Sequence, residues 1–152
     1  MYSLALTLGL IAMAQAGTPA SADQKAAIAV VHQFVDSFNK GDTKGAAATC
    51  ADQTSIIDEF PPHEWHGAGA CAKWMADFDA FGKKNGWTDG NVKLGATKHA
   101  DVTADRAYVV VPATFSLKEK GKPVTESGSF LTVALQKTAA GWRITAWSWT
   151  KG

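Results

Sequence analysis

The polar side chains best placed for chemistry lie in one short segment, residues 58–66. Asp58 directly follows the apolar pair Ile56-Ile57 and precedes Phe60-Pro61-Pro62, so a strand is expected to end at this carboxylate. An apolar surrounding penalises the charged form of a carboxyl group, which raises its pKa and makes the ionised form a better base. Asp58 is therefore the first candidate for a catalytic residue, with the role of general base. The alternative is a solvated loop carboxylate.

Two histidines share this segment. We predict His63 as a second catalytic residue, in an acid/base pair with Asp58, and His66 as a hydrogen-bonding partner for a ligand. Together with Glu59, these side chains are of types that bind metals, but a loop with two prolines does not fix a coordination geometry. We therefore expect no metal. The alternative is that both histidines are solvated and that Trp65 packs over a pocket as part of a lid loop.

Aromatic side chains come from every part of the chain after the first thirty residues, and six of them are tryptophans. Apolar pockets with a few polar groups are the usual sites for small ligands, whereas a filled hydrophobic core is the alternative use for such residues. The residues that we predict to bind a ligand are Phe34, Phe38, Phe60, Trp65, His66, Trp74, Phe78, Tyr108, Phe115, Thr132, Trp147 and Trp149.

Helical periodicity dominates the first half of the chain. Apolar side chains at three- and four-residue steps predict an amphipathic helix that contains Ile28, Val31, Phe34, Val35 and Phe38. The sequence Lys40-Gly41-Asp42 then supplies a stop, a turn and the N-cap of a short second helix. A third helix is predicted over residues 70–84, after an irregular lid loop over residues 58–69.

From Trp87 onward the apolar period changes to two. This pattern predicts strands near residues 91–98, 106–118, 122–137 and 141–150, joined by hairpin turns. Three N-terminal helices followed by an antiparallel meander indicate an α+β domain, in which a strongly curved sheet wraps the first helix and leaves a cone-shaped cavity at its wide end.

The segments VVHQFVDSFNKGDTKG and CADQTSIID, within residues 26–69, resemble the nuclear transport factor 2-like superfamily. This superfamily of cone-shaped, cystatin-like α+β domains includes ketosteroid isomerases and SnoaL-like polyketide cyclases. The resemblance places Asp58 where the isomerases keep their proton-shuttling aspartate. It implies an isomerase-like or SnoaL-like enzyme with Asp58 as general base.

Two departures from the isomerase pattern argue against that activity. The tyrosine that donates to the oxyanion corresponds to Phe34, which has no hydroxyl group. The second donor, a neutral aspartic acid, has no counterpart in residues 129–135, where Thr132 is the nearest polar side chain. Each such donor contributes about 2.7–4 kcal/mol to transition-state stabilisation. We therefore favour a protein that binds a small apolar molecule, with the Asp58-dependent enzyme as the alternative.

Composition and charge exclude some partners. The 15 basic and 14 acidic residues are scattered and give a net charge of +1, so no basic stripe is available for nucleic acid. The Gly67-Ala68-Gly69 run lacks the spacing of a dinucleotide-binding loop, and we predict no cofactor.

The first 22 residues are predicted to be a secretory signal peptide, which leaves a domain over residues 23–152. An uncharged apolar run over Leu4–Ala14 is followed by Ala-x-Ala sites, although no basic residue precedes the run. An uncleaved anchor is the alternative. Export would place the protein outside the cell or in the periplasm, where an oxidising compartment favours a disulfide between Cys50 and Cys71. Two buried thiols are the alternative for these cysteines.

Homodimerisation is predicted through the outer face of the sheet, as in many members of the superfamily that the chain resembles. Strict alternation over residues 141–150 would also place tryptophans on both faces of the last strand, with Trp142 on one and Trp147 and Trp149 on the other. One tryptophan-bearing face would then be the interface.

Overall fold

The computed structural model describes residues 20–152, and its first element is the long helix α1 (Ala22–Asn39). A capping box holds the start of this helix, since the Ser21 side chain accepts from the Gln24 backbone and the Gln24 side chain accepts from Ser21 N. Gly41, at φ 68°, turns the chain into α2 (Thr43–Thr49), whose N-cap is Asp42. The predicted stop, turn and cap are confirmed.

The predicted α+β fold is confirmed. The elements that follow α2 are β1 (Cys50–Ile57), β2 (Glu64–Ala68), α3 (Ala70–Asn85), β3 (Trp87–Leu94), β4 (His99–Thr103), β5 (Arg106–Glu119), β6 (Lys122–Thr138) and β7 (Gly141–Thr150). Within residues 20–152, the seven strands form one open sheet in the order β2-β1-β7-β6-β5-β3, with β4 also paired to β5. One pair, β1 with β7, is parallel, which corrects the prediction of a purely antiparallel sheet. Buried side chains of α1, α3 and the inner face of the sheet form one core.

The lid loop predicted over residues 58–69 is wrong in its second half, because β2 pairs with β1 as an antiparallel hairpin. Trp65 lies opposite Ile56 and is buried, whereas Glu64 and His66 on either side of it are exposed. This is the alternation of an edge strand with one buried face. The short strand β4 was also missed by the sequence prediction.

A disulfide joins Cys50 and Cys71, as predicted, with their Cα atoms 6.5 Å apart. It links the start of β1 to the first turn of α3, so the hairpin that carries Asp58 is closed into a covalent ring. Most of the predicted signal peptide, residues 1–19, lies outside the described residues. Within residues 20–152 no helix combines the length and apolarity needed to cross a membrane.

Strand β7 does not alternate strictly. Trp142 and Ile144 are buried, and after an irregularity in the β6–β7 register the next buried residue is Trp147. A bulge of this kind shifts the alternation by one residue. Trp142, Trp147 and Trp149 therefore all lie on the inner side, which corrects the expectation of a tryptophan-bearing outer face.

Candidate ligand-binding site around Asp58

A cavity of about 50 Å³ lies between α1, α3 and the inner face of the sheet. Its lining is aromatic and aliphatic except for one carboxyl group and the indole nitrogens. The volume is enough for a few water molecules and well below the several hundred Å³ of a typical ligand pocket. The lining residues are Phe34, Val35, Phe38, Asp58, Trp74, Phe78, Val92, Phe115, Leu131, Trp147 and Trp149.

Asp58 follows directly after β1 and turns its side chain inward, with 8% of the residue exposed. Its backbone N–H donates to the carbonyl oxygen of His63 at 3.0 Å, which holds the turn into β2. In the side chain, Oδ2 accepts from Trp74 Nε1 at 2.8 Å and Oδ1 accepts from the Glu59 backbone N–H at 2.6 Å. Among residues 20–152 it is the single buried carboxyl group.

Burial raises the pKa of Asp58 from its ordinary 3.8 to about 6. The hydrogen bonds from Trp74 and from the Glu59 backbone oppose this rise because they favour the ionised form, while the negative charges of Glu59 and Glu126 add to it. Near neutral pH the group can therefore both accept and release a proton, which is the requirement for general acid–base chemistry.

Two further carboxyl groups, those of Glu59 and Glu126, lie close to Asp58 and next to the C-terminal end of β7. Lys151 bridges them, with Nζ 2.9 Å from Glu59 Oε2 and 3.3 Å from Glu126 Oε2. Glu126 Oε1 also accepts from Ser129 Oγ at 2.6 Å and from Trp149 Nε1 at 2.8 Å. This cluster anchors the indole of Trp149 in the cavity wall.

Within this cluster the pKa values of the two glutamates are shifted in opposite directions. Burial raises the pKa of Glu59, the hydrogen bond from Lys151 opposes this rise, and the neighbouring Glu126 adds to it. Burial also raises the pKa of Glu126, but the hydrogen bonds that it receives from Ser129, Glu59 and Trp149 outweigh this effect and hold the pKa below its ordinary value. The Glu59 carboxyl group is therefore the more easily protonated of the two, as its raised pKa requires.

The SnoaL-like domain model matches residues 28–149, which is most of the chain. This chain belongs to the SnoaL-like domain family. No curated protein matches the chain.

Solved structures agree with this assignment and with the nuclear transport factor 2-like superfamily. A ketosteroid isomerase-like protein from Erwinia carotovora atroseptica is 18% identical, with TM-score 0.68, over 86% of this chain and 96% of that one. A nuclear transport factor 2-like superfamily protein from Salmonella enterica is 16% identical, with TM-score 0.70, over 84% and 89%. A domain with a cystatin-like fold from Nostoc punctiforme is 22% identical, with TM-score 0.66, over 88% and 79%. At these identities the shared property is the fold.

In this SnoaL-like domain the structure gathers most of the predicted aromatic residues around Asp58. The predicted residues that line the cavity are Phe34, Phe38, Trp74, Phe78, Phe115, Trp147 and Trp149. Phe60 and Trp65 are buried outside that lining and pack against each other with their rings tilted by 41° and their ring centroids 4.8 Å apart. The Trp65 indole donates to Asp77 Oδ2 at 2.7 Å, so this residue pins β2 to α3 instead of closing a lid.

Other predicted site residues lie away from the cavity. His63 and His66 are exposed, and His63 Nδ1 lies 3.3 Å from the backbone oxygen of Asp58 rather than beside its carboxyl group. Tyr108 and Thr132 lie on the outer face of the sheet, because their strand neighbours are the ones buried inside. This placement corrects the prediction for these two residues, and no cluster of residues within 20–152 is arranged to hold a metal ion.

The sequence interpretation also missed cavity residues. Val35, Val92 and Leu131 are aliphatic side chains of ordinary core type, and no sequence signal separates them from the rest of the core. Glu126, beside Asp58, was also not predicted. It precedes residues 129–135, where the resemblance to the isomerases would place a second acid, and an irregularity in the β5–β6 register between Ala113 and Phe115 interrupts the strand alternation there.

A second, wider space lies on the other side of the cavity wall. This groove, of about 660 Å³, runs between the end of α1, the outer side of α3 and strand β3. Phe38, Phe78 and Phe115 line both spaces and form the partition between them, with Phe78 at 5.1 Å from Phe38 and 6.0 Å from Phe115 by ring centroids.

Proposed function

We propose that this SnoaL-like domain binds a small, mostly apolar molecule in the cavity beside Asp58. The observation that carries the proposal is a single buried carboxyl group, among residues 20–152, in a wall otherwise made of aromatic and aliphatic side chains. Burial of a carboxyl group costs free energy, and a folded protein that needed only a filled core would gain stability from an apolar side chain there. A polar group in an apolar cavity is the usual arrangement for orienting a small ligand.

The size of the cavity sets what can enter. A space of about 50 Å³ is smaller than a six-membered ring compound, so such a ligand must displace part of the wall. The Phe38, Phe78 and Phe115 partition is the wall whose movement joins the cavity to the groove. We propose this route for entry.

Binding can be tested with toluene as the probe, by saturation transfer from the protein to the ligand in NMR. Leu131→Phe adds ring atoms at the cavity wall and is expected to abolish the transfer. Leu117→Phe makes the same change in the groove wall and serves as the matched control, with the transfer expected to persist. Absence of transfer in the wild type, or loss only in the groove variant, would contradict the proposal.

A second candidate function is proton transfer with Asp58 as general base, and the raised pKa of about 6 at a buried site favours it. A suitable assay is deuterium exchange from D₂O into the α-carbons of cyclohexanone. The rate is expected to rise with pH around the pKa of Asp58 and to disappear in Asp58→Asn, while cyclohexanone binding persists. Equal loss of exchange and binding would contradict a base role.

Export and homodimerisation also remain proposals. The Cys50–Cys71 disulfide supports an oxidising compartment, either outside the cell or in the periplasm. Three large apolar residues on the outer sheet face support a dimer, since Ile57, Tyr108 and Phe130 are 62%, 46% and 38% exposed. Their neighbours on that face include Thr132 and Ser148, which are small enough to allow close approach of a second sheet.

A further inference from the structure

The indole N–H groups of the six tryptophans differ in whether they have a hydrogen-bond partner. Five of them donate to a carboxylate side chain: Trp65 to Asp77, Trp74 to Asp58, Trp87 to Glu119, Trp142 to Asp23 and Trp149 to Glu126, at 2.7–3.4 Å. Trp147 is the exception, because within residues 20–152 its Nε1 is buried and has no hydrogen-bond partner.

A buried donor without a partner costs free energy that folding must recover elsewhere. Trp147 is 4% exposed, so solvent at the protein surface does not supply the missing acceptor. Its ring lies in the cavity wall, packed against Phe34 at 5.6 Å and edge-to-face on Trp74 at 4.7 Å, the two measured between ring centroids. Trp147 and Asp58 therefore line the same small space, and the unused donor belongs to a residue of the cavity wall.

We propose that the Trp147 indole N–H is a ligand-binding donor, and that the cavity selects apolar molecules that carry one uncharged oxygen acceptor, such as a ketone, ester or ether. This inference rests on the proposed binding function and names the class of its ligand. It gives the cavity a hydrogen-bond donor that Phe34 lacks.

The charges and the indole donor together decide against a charged ligand. Asp58 lies in the cavity wall, and Glu59 and Glu126 lie close enough to raise its pKa, so an anion would be repelled even with Lys151 paired to the two glutamates. A cation would be attracted by Asp58 and by the aromatic faces, but it carries no acceptor and would leave the Trp147 N–H unpaired. A pure hydrocarbon has no acceptor and would leave the Trp147 N–H unpaired, whereas a ligand oxygen would accept a hydrogen bond from it.

The test compares cyclohexanone with methylcyclohexane, which have nearly the same size and differ in the acceptor. In ¹H–¹⁵N spectra the indole signal of Trp147, assigned by its loss in Trp147→Phe, is expected to move downfield with the ketone and not with the hydrocarbon. Cyclohexanone is expected to bind about tenfold more tightly to wild type than to Trp147→Phe, with methylcyclohexane nearly unchanged. Trp142→Phe is the matched control, because it makes the same change in the same strand outside the cavity.

The outcomes separate the two proposals. Equal binding of both probes, unchanged by Trp147→Phe, would overturn the donor role and leave the proposed binding function standing. The indole proton signal of Trp147 could instead lie at unusually high field and not shift when cyclohexanone is added. This result would show that the N–H donates to the face of the Trp74 ring, and it would also overturn the donor role. Absence of binding by either probe would overturn both proposals.

Discussion

Replacing Asp58 by Asn should make the stability of the protein less sensitive to pH. Folding raises the pKa of Asp58 from 3.8 to about 6, so the folded state binds its proton more tightly than the unfolded state. The resulting stability is fully present below about pH 4 and is lost as the pH rises through about 6. By linkage, the loss amounts to about 3 kcal/mol of unfolding free energy once both states are ionised.

Asn cannot ionise, but it also offers only one acceptor to the two donors, Trp74 Nε1 and the Glu59 backbone N–H. That lost hydrogen bond costs about 1–3 kcal/mol at every pH, so a single measurement would mix two effects. The change with pH separates them. The unfolding free energy of Asp58→Asn minus that of the wild type should be about 2–3 kcal/mol larger near pH 8 than near pH 4.

Urea denaturation at a series of pH values, followed by tryptophan fluorescence, measures this difference. Asp52→Asn is the matched control, since Asp52 is an exposed carboxylate in β1, the strand that Asp58 follows. Its difference from the wild type serves as the reference. A difference for Asp58→Asn that changes with pH no more than this reference would mean that the Asp58 carboxyl group is not desolvated in the folded protein, and would refute the reasoning.

Three further predictions concern the rest of the chain. Replacing both Cys50 and Cys71 by Ala should lower the unfolding free energy by about 3 kcal/mol, measured in urea, because the bridge closes a loop of about twenty residues; a change below about 1 kcal/mol would contradict it. Ile57→Lys should shift the sedimentation of a wild-type dimer to that of a monomer, and a wild type that stays monomeric at high concentration would contradict the dimer. If the protein is exported, the capping box at Ser21 moves the expected cleavage site from after residue 22, as predicted from the sequence, to after residue 16, and the intact mass should correspond to a chain that begins at Gly17; a chain that begins at Asp23 would contradict this revision.

The helices and most strands could be predicted from the sequence because their signals are local. The apolar spacing of α1, the Gly41 turn and the Asp42 cap act within a few residues of one another. The strand β2 could not be predicted as easily, because five residues after two prolines show a strand pattern only when paired with β1. Edge strands of this length depend on their partner more than on their own propensity.

The acidic residue and most of the aromatic residues of the candidate site could be predicted from the sequence. The hydrogen-bond partners and the orientations of its side chains could not. Asp58 was found because a strand ends there, but its partner Trp74 lies sixteen residues later on another element. The prediction that Tyr108 and Thr132 bind a ligand is wrong in its placement, because strand alternation puts both side chains on the outer face of the sheet. The bulge in β7 and the unpaired indole of Trp147 depend on long-range packing, which no local pattern encodes.

The phenylalanine partition has a consequence for kinetics. In the proposed function, Asp58 and Trp147 set how tightly a ligand is held, whereas Phe38, Phe78 and Phe115 set how fast it enters and leaves, because the proposed entry route requires their rings to move aside. Substitutions in the two sets should therefore change the dissociation constant and the residence time separately. Substitutions in the phenylalanine partition can therefore change the residence time of a ligand without changing the ligand specificity of the domain.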